Sequence, residues 1–568
     1  MLTENGVITM KKPLLSELSL REKIGQTALG RLSNPGFKDL KKYPYGCMWA
    51  LGNMEMEIIN MNETFADTAT KASAWADTLV EFNKQLKVPL LTATDCTMRV
   101  PFQEYATVHD AVAVGSTDNT DLAYEGGEIR ARMLKNCGTR WLWTPEVDLP
   151  NRNNAVMHGR LYSDNAEKTT KMATAFMKGV QDNGVAATAK HFPGADGIEY
   201  RDAHCADNMM LLPVDEWKVK QGKVFQDLID AGIYSIMIAH GSFPFYDNTQ
   251  RNGRFVPCTL SKKVICDLLK GEMGFKGVVI TDGIAMRSAV TYCNDNLAEL
   301  YIEAINAGND VILSVKDCYF DIIEEAVLNG TIPESRIDDA CQRVLDMKEK
   351  LGMFDDDYVV KIGDMDEINA DAKIFNKKVA ENALSLVCDK NNLLPVSADK
   401  IKNVSIIYSG HDKEGSGRAF DNLGYMKAAF EQRGANVSIY RRLDGAKGRN
   451  QLKEIDEKSD LIVYVGFLMR YAPEGFSAFY DEEKLTFHHA LSYGAEKSVA
   501  VGLGSPFMYF DFYYCFPTYI NAYNDMKETQ EAFVAALYGE IEFRGGEPFE
   551  LIPSNVKHYL DMLEEMNK

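Results

Sequence analysis

Seven short, nearly continuous apolar runs, spaced so that helical sequence fits between successive members, constrain the first part of this chain more than any other feature. They are Y-G-C-M-W-A-L (45–51), V-P-L-L-T-A-T-D (88–95), R-W-L-W-T-P-E-V-D (140–148), V-A-A-T-A-K-H-F (185–192), I-Y-S-I-M-I-A-H (233–240), G-V-V-I-T-D-G (277–283) and D-V-I-L-S (310–314). Such runs lack the alternation of a half-exposed strand, so they read as strands covered on both faces, with intervening sequence such as 66–86 supplying the helices. The pattern predicts a (β/α)8 TIM-like barrel over residues 1–350.

Most of these runs end on polar residues: Asp95, Asp148, Lys190 with His191, His240 and Asp282. Functional side chains of a barrel come from the C-terminal ends of several strands, so the shared polar endings predict one active-site rim. Taken singly, an aspartate such as Asp148 is equally well explained as a helix cap. A chain of 568 residues exceeds one ordinary core. Residues 351–378 are acidic and weakly periodic, which predicts a surface connector. Further apolar runs at 404–410, 461–467, 498–504 and 519–523 predict a smaller α/β layer (sandwich) domain over 379–568, with helices at Met426–Gly434 and Thr529–Leu537. The loop G-H-D-K-E-G-S-G-R (410–418) lacks the glycine spacing of a phosphate-binding fingerprint.

A formal net charge of −20 argues against nucleic acid or an anionic membrane as partner, because both reward clustered Lys and Arg. Eleven scattered cysteines without a C-x-x-C pair predict reduced thiols and neither a disulfide framework nor a zinc cluster. The sequence contains no apolar run of about 18 residues, and its start has no signal-like apolar core, so a cytoplasmic protein is expected. No H-x-H or H-E-x-x-H ligand pair is present, and neither a metal nor a cofactor is expected.

The chemistry concentrates in two places. The stretch Ala187–His204 opens as a buried strand, breaks at Pro193, Gly194 and Gly197, and delivers Asp202 and His204 two residues apart. A carboxylate that fixes the tautomer of a neighbouring imidazole makes an oriented proton donor, although a lone loop histidine more often bonds only to backbone. Asp282, after the run V-V-I-T, is placed to attack an electrophilic carbon. A carboxylate nucleophile with a separate general acid is the equipment for displacement at a sugar's anomeric carbon with retention.

K-H-F-P-G (190–194), the Asp202-x-His204 pair, L-S-K-K-V-I-C-D-L-L-K-G-E-M-G-F-K-G-V-V-I-T-D (260–282) and A-G-N-D (307–310) together resemble glycoside hydrolase family 3, in its β-N-acetylglucosaminidase branch. G-S-P-F (504–507), Y-I-N-A-Y (519–523) and A-L-Y-G-E-I (536–541) extend the resemblance into the second domain. It implies that Asp282 is the nucleophile of a retaining, exo-acting enzyme, and that His204 is the acid/base with Asp202 orienting it. It also implies sugar binding by Asp95, Arg160, Lys190, His191 and His240. The chain departs from the family pattern at 96–100, at 195–197 and at Asn165 and Ala166, all around the site mouth. The expected partner is a small carbohydrate, and the expected state a monomer or homodimer. Three other readings stand beside this one: a phosphorylase on the same scaffold, a β-glucosidase whose acid/base is Glu482 or Glu483, and a decayed carbohydrate-binding barrel. Trp141 and Trp143 read more readily as core than as a sugar platform.

Overall fold

In the chain's computed structural model, the described residues are 10–50, 72–95, 105–149, 159–194, 201, 206–356, 358, 364–410, 423–441, 443, 448–468, 490, 492–510, 516–552 and 554–566. Eight parallel strands form the first sheet: β1 (Ala28–Arg31), β2 (Cys47–Trp49), β3 (Leu91–Thr94), β4 (Trp141–Leu142), β5 (Ala186–Phe192), β6 (Ser235–Ile238), β7 (Val278–Thr281) and β8 (Ile312–Leu313). From β1 to β7 each pairs with the next in sequence, and β8 pairs with β1. The cylinder closes between β7 and β8, where Thr281 N donates to Val311 O and Val311 N to Val279 O, both at 3.1 Å.

Seven of the eight strands lie within the apolar runs. The eighth, β1, follows the helix Leu20–Thr27 without an intervening turn, so its four residues merge with the helical pattern before them. β4 is only two residues long because Pro145 has no N–H to continue the ladder. The chain rejoins β5 through a single pairing, Glu146 with Lys190.

Helices cover the barrel with stripes at helical spacing. Glu334–Lys350 buries Ile337, Ala340, Cys341, Val344 and Leu345, and each large aliphatic side chain contributes about 1.5–3 kcal/mol by leaving water. On the same helix, buried Lys348 donates from Nζ to Gln26 Oε1 (2.7 Å), Gly46 O (2.8 Å) and Pro89 O (2.7 Å). Those acceptors precede β1, β2 and β3, so one ammonium group ties three strand starts together. Burial pulls its pKa down to about 8.

The second sheet has six strands: β9 (Ser385–Asp389), β10 (Asn403–Gly410), β11 (Asn436–Arg441), β12 (Leu461–Phe467), β13 (Ser498–Gly502) and β14 (Thr518–Asn521). Their order is β9-β14-β13-β12-β10-β11, parallel except for the antiparallel pair β9 and β14. Alternate residues feed two cores on opposite faces. Val463 and Val465 join Val499 and Val501 in one, while Ile462, Tyr464 and Ala500 enter the other. This is the layered α/β arrangement expected for the second domain. β9 and β11 fall outside the expected runs, because their short sequences S-L-V-C-D and N-V-S-I-Y-R mix polar with apolar residues.

The chain forms two compact units, one comprising residues 1–108, 120–154 and 169–373, the other 109–119, 155–168 and 374–568. The second unit thus includes two segments from within the range 1–350. The expected surface connector over 351–378 contains most of a regular helix, Met365–Ala383. Its acidic start resembles a loop, yet Ile368, Ala372, Phe375 and Val379 recur at helical spacing and are buried. No helix among the described residues is long and apolar enough to cross a membrane.

Candidate active site

Because all eight strands run in parallel, their C-terminal ends share one rim, and polar side chains follow there directly. Asp95 succeeds β3, Lys190 and His191 lie near the end of β5, His240 comes two residues after β6, and Asp282 succeeds β7. The Asp282 backbone is held by donation from its N–H to Ile238 O (3.1 Å). Its Oδ1 accepts from Gly283 N at 2.6 Å, while Oδ2 lies 3.8 Å from His191 Nε2. The side chain is 21% exposed, enough to meet a substrate from the rim.

His191 is oriented from its far side. Asp148 Oδ2 accepts both the His191 backbone N–H (3.0 Å) and ring Nδ1 (2.9 Å), so the proton on Nδ1 is fixed and Nε2 faces Asp282. Asp148 is fully buried. It is therefore more than a helix cap: it sets the tautomer and direction of the ring. The Lys190–His191 and Phe192–Pro193 peptides are both cis.

Lys190 Nζ donates to Asp95 Oδ1 at 2.9 Å and lies 3.2 Å from Glu146 Oε1. Lys190 and Glu146 are each 1% exposed, whereas Asp95 opens to solvent with 38% of its side chain accessible. A buried ammonium thus holds an accessible carboxylate in place, an arrangement suited to gripping a ring hydroxyl. Replacing Lys190 with methionine leaves Glu146 buried beside an uncharged chain. The expected destabilisation is about 3–5 kcal/mol, read by urea denaturation. A loss below about 1 kcal/mol would show that the pair is not an electrostatic anchor.

The remainder of K-H-F-P-G is explained by close packing. Gly194 has φ +95°, and a Cβ there would fall 2.1 Å from Gln221 Cγ. That glutamine accepts from Leu149 N (2.9 Å) and donates to Val147 O (2.8 Å), which secures the segment carrying Asp148. Trp217 Nε1 donates to Pro193 O at 2.8 Å. Only glycine at 194 admits this approach.

The base of β7 is secured by Asp310 of A-G-N-D. Its Oδ2 accepts from Val279 N at 2.9 Å, and Lys270 and Arg336 both donate to Oδ1. Burial lowers the pKa of Lys270 while Asp310 opposes that shift. The motif is thus structural, acting at the opposite end of the strand from Asp282.

The structure gathers Asp95, Lys190, His191 and Asp282 with His240, whose two ring nitrogens bond to Thr259 Oγ1 and Gly283 O. Arg160 belongs to the second unit and is half-buried. Asp202 and His204 lie outside the described residues, as do 96–100, 195–197, 411–418, Glu482 and Glu483. Trp141 and Trp143 are core, the latter packed edge-on against Trp49 with centroids 5.1 Å apart. Glu146 and Thr259 carried no signal in the sequence beyond residue type. Asp148 did, through its place at the end of the run 140–148.

A closed parallel barrel that gathers carboxylates, a buried lysine and oriented imidazoles at one rim has the form of a glycoside-processing enzyme. Residues 19–347 match the model of the glycosyl hydrolase family 3 N-terminal domain, and the chain belongs to that family and is a glycoside hydrolase. A β-N-acetylglucosaminidase/β-glucosidase of Cellulomonas fimi is 26% identical over 499 residues, covering 85% of this chain and 87% of that protein. A β-hexosaminidase of Methylobacillus flagellatus is 32% identical over 197 residues, 34% of this chain and 52% of its own length. Two solved structures share the fold. A family 3 β-N-acetylglucosaminidase from Paenibacillus sp. has a TM-score of 0.79 at 22% identity, with coverage of 94% of this chain and 99% of that one. A β-glucoside phosphorylase bound to 2FGlc has a TM-score of 0.81 at 23% identity, with 95% of each chain covered.

Proposed function

We propose that this chain is a retaining, exo-acting β-N-acetylglucosaminidase that releases terminal β-linked N-acetylhexosamine from small carbohydrates. The observation that carries the reading is the placement of Asp282: one oxygen is held by its own following N–H, while the other faces the rim beside His191. In the first step Asp282 Oδ2 forms a bond to the anomeric carbon as the glycosidic C–O bond breaks, and His204 protonates the departing oxygen. In the second step His204 takes a proton from water. The water oxygen bonds to the anomeric carbon as the C–O bond to Asp282 breaks. Two inversions give net retention. Asp95, Lys190 and His191 are assigned to holding the sugar, and Asp202 to orienting His204.

A neutral imidazole as acid/base repels an incoming anion less than a carboxylate does, so phosphate is a second acceptor to consider in place of water. No metal or cofactor takes part in the proposed steps. The expected setting is cytoplasmic, with the protein a monomer or homodimer.

Chromogenic N-acetyl-β-glucosaminide and β-glucoside, assayed side by side with and without phosphate, test the assignment. Faster cleavage of the N-acetyl substrate to free sugar whose first-formed anomer is β is expected. Equal or better turnover of the glucoside reassigns the enzyme as a β-glucosidase. Sugar 1-phosphate as the main product reassigns it as a phosphorylase.

A further inference from the structure

We infer that His240 is a positioning residue for the nucleophile, acting through the backbone of Gly283, the residue that follows Asp282. This inference rests on the reading of Asp282 as nucleophile. The Gly283 carbonyl has no proton to give, so the 2.8 Å contact with His240 requires Nε2 to carry hydrogen and donate. Nδ1 lies 2.7 Å from Thr259 Oγ1, and that hydroxyl also lies 3.0 Å from Ala239 O. A neutral ring needs the Thr259 hydroxyl to donate to Nδ1, and a cationic ring needs it to donate to Ala239 O. In both arrangements the Nε2–H stays on the Gly283 carbonyl. The imidazole is 1% exposed and both its nitrogens are engaged inside the barrel wall.

The effect runs through one residue, Gly283, at whose Cα two successive peptide units meet. The carbonyl of Gly283 is fixed by His240, and the N–H of the same residue donates to Asp282 Oδ1 at 2.6 Å. Gly283 has no side chain to restrict its rotation, so outside bonds to its backbone set where the following chain runs. The Ser288 hydroxyl closes the same circuit by donating to His240 O at 3.0 Å.

Thr259 is itself braced. Asn309 Nδ2 donates to Thr259 O at 2.8 Å and to Ala304 O at 2.6 Å, tying the turn Cys258–Leu260 to the helix Leu297–Ala307. The asparagine and aspartate of A-G-N-D therefore divide the work on β7. Asp310 holds the base of the strand directly, and Asn309 holds its top through Thr259 and His240.

A nucleophile displaced by about 1 Å loses on the order of 100-fold in rate. His240→Leu is accordingly expected to lower kcat, and the rate of covalent labelling by a 5-fluoro N-acetylglucosaminyl fluoride, by about 100-fold. Affinity for N-acetylglucosamine as a competitive inhibitor is expected to stay within about twofold, since the altered side chain does not hold the sugar. His240→Gln, whose amide retains an N–H donor at the reach of Nε2, is expected to recover at least tenfold of the lost rate by preserving most of that positioning. Thr259→Val is expected to reproduce the leucine defect in milder form, and Thr259→Ser to correct it.

Loss of inhibitor affinity in step with kcat would instead make His240 a direct sugar ligand. Equal activity of the Gln and Leu variants, both folded, would reject the donor role. If His240→Leu does not fold, the Thr259 pair decides: equal labelling rates for Val and Ser overturn the inference. Retained activity in Asp282→Ala would reject the nucleophile reading beneath it, whereas its loss alongside normal labelling of the His240 variants rejects this inference alone.

Discussion

Asp282→Ala is expected to lower kcat on the order of 10⁴-fold while KM changes little, because the lost group acts in bond making and not in ground-state binding. In free energy this is about 5.5 kcal/mol of transition-state stabilisation. The surroundings of Asp282 favour a folded variant. Its main-chain bond to Ile238 O survives, and buried Lys190 keeps its pairing with Asp95 and Glu146. Azide entering the vacated space is expected to restore part of the turnover. Its nitrogen bonds to the anomeric carbon from the nucleophile's side, giving an α-glycosyl azide as the leaving group departs. Activity within tenfold of the parent, or a β-configured azide product, would remove Asp282 from the mechanism.

The second large effect is on stability and belongs to the second unit. Glu547 is half-buried there, with its Oε1 shielded from solvent and its Oε2 accepting from Asn521 Nδ2 at 3.0 Å. Burial pushes its pKa up to about 8, against opposing contributions from Asn521, Tyr523 and the charge of Lys168. Between its ordinary value of 4.5 and about 8, the unfolded chain has released this proton while the folded chain keeps it. The group therefore favours folding fully below pH 4.5, and that contribution declines as pH rises towards 8. Over that interval the change is on the order of 5 kcal/mol. Glu547→Gln has no proton to lose and preserves an amide oxygen for Asn521. Its stability relative to the parent is expected to be similar near pH 4.5 and higher by several kcal/mol near pH 8. Urea unfolding of the full chain across this range measures the difference, and parallel pH curves for the two proteins would show that Glu547 does not carry the buried proton.

Legibility in the sequence followed the range of the interactions concerned. Strands β2 to β8 were visible because each is a local apolar run bounded by turn residues, and the polar endings of most of these runs marked the functional rim. β1 was hidden by fusion with a helix, and the helix Met365–Ala383 by its acidic first turn. Within the site, Asp95, Lys190, His191, His240 and Asp282 were each named from strand ends and the family resemblance. Their partners were not: Glu146 under Lys190 and Thr259 behind His240 are ordinary residues until the barrel closes. Gln221 is of the same kind, since its role depends on the contact with Gly194.

By itself, the sequence determined a parallel barrel, a layered second domain and a set of candidate chemical groups, because backbone periodicity and residue type are local properties. Only the tertiary structure decided how those groups are held. Asp148 orients His191, Lys190 joins two carboxylates, and His240 grips the Gly283 carbonyl through contacts between different strands, set by register and barrel closure. Hydrogen bonds and ion pairs act over about 3 Å, so residues far apart in the chain acquire these roles only when folding brings them to that distance.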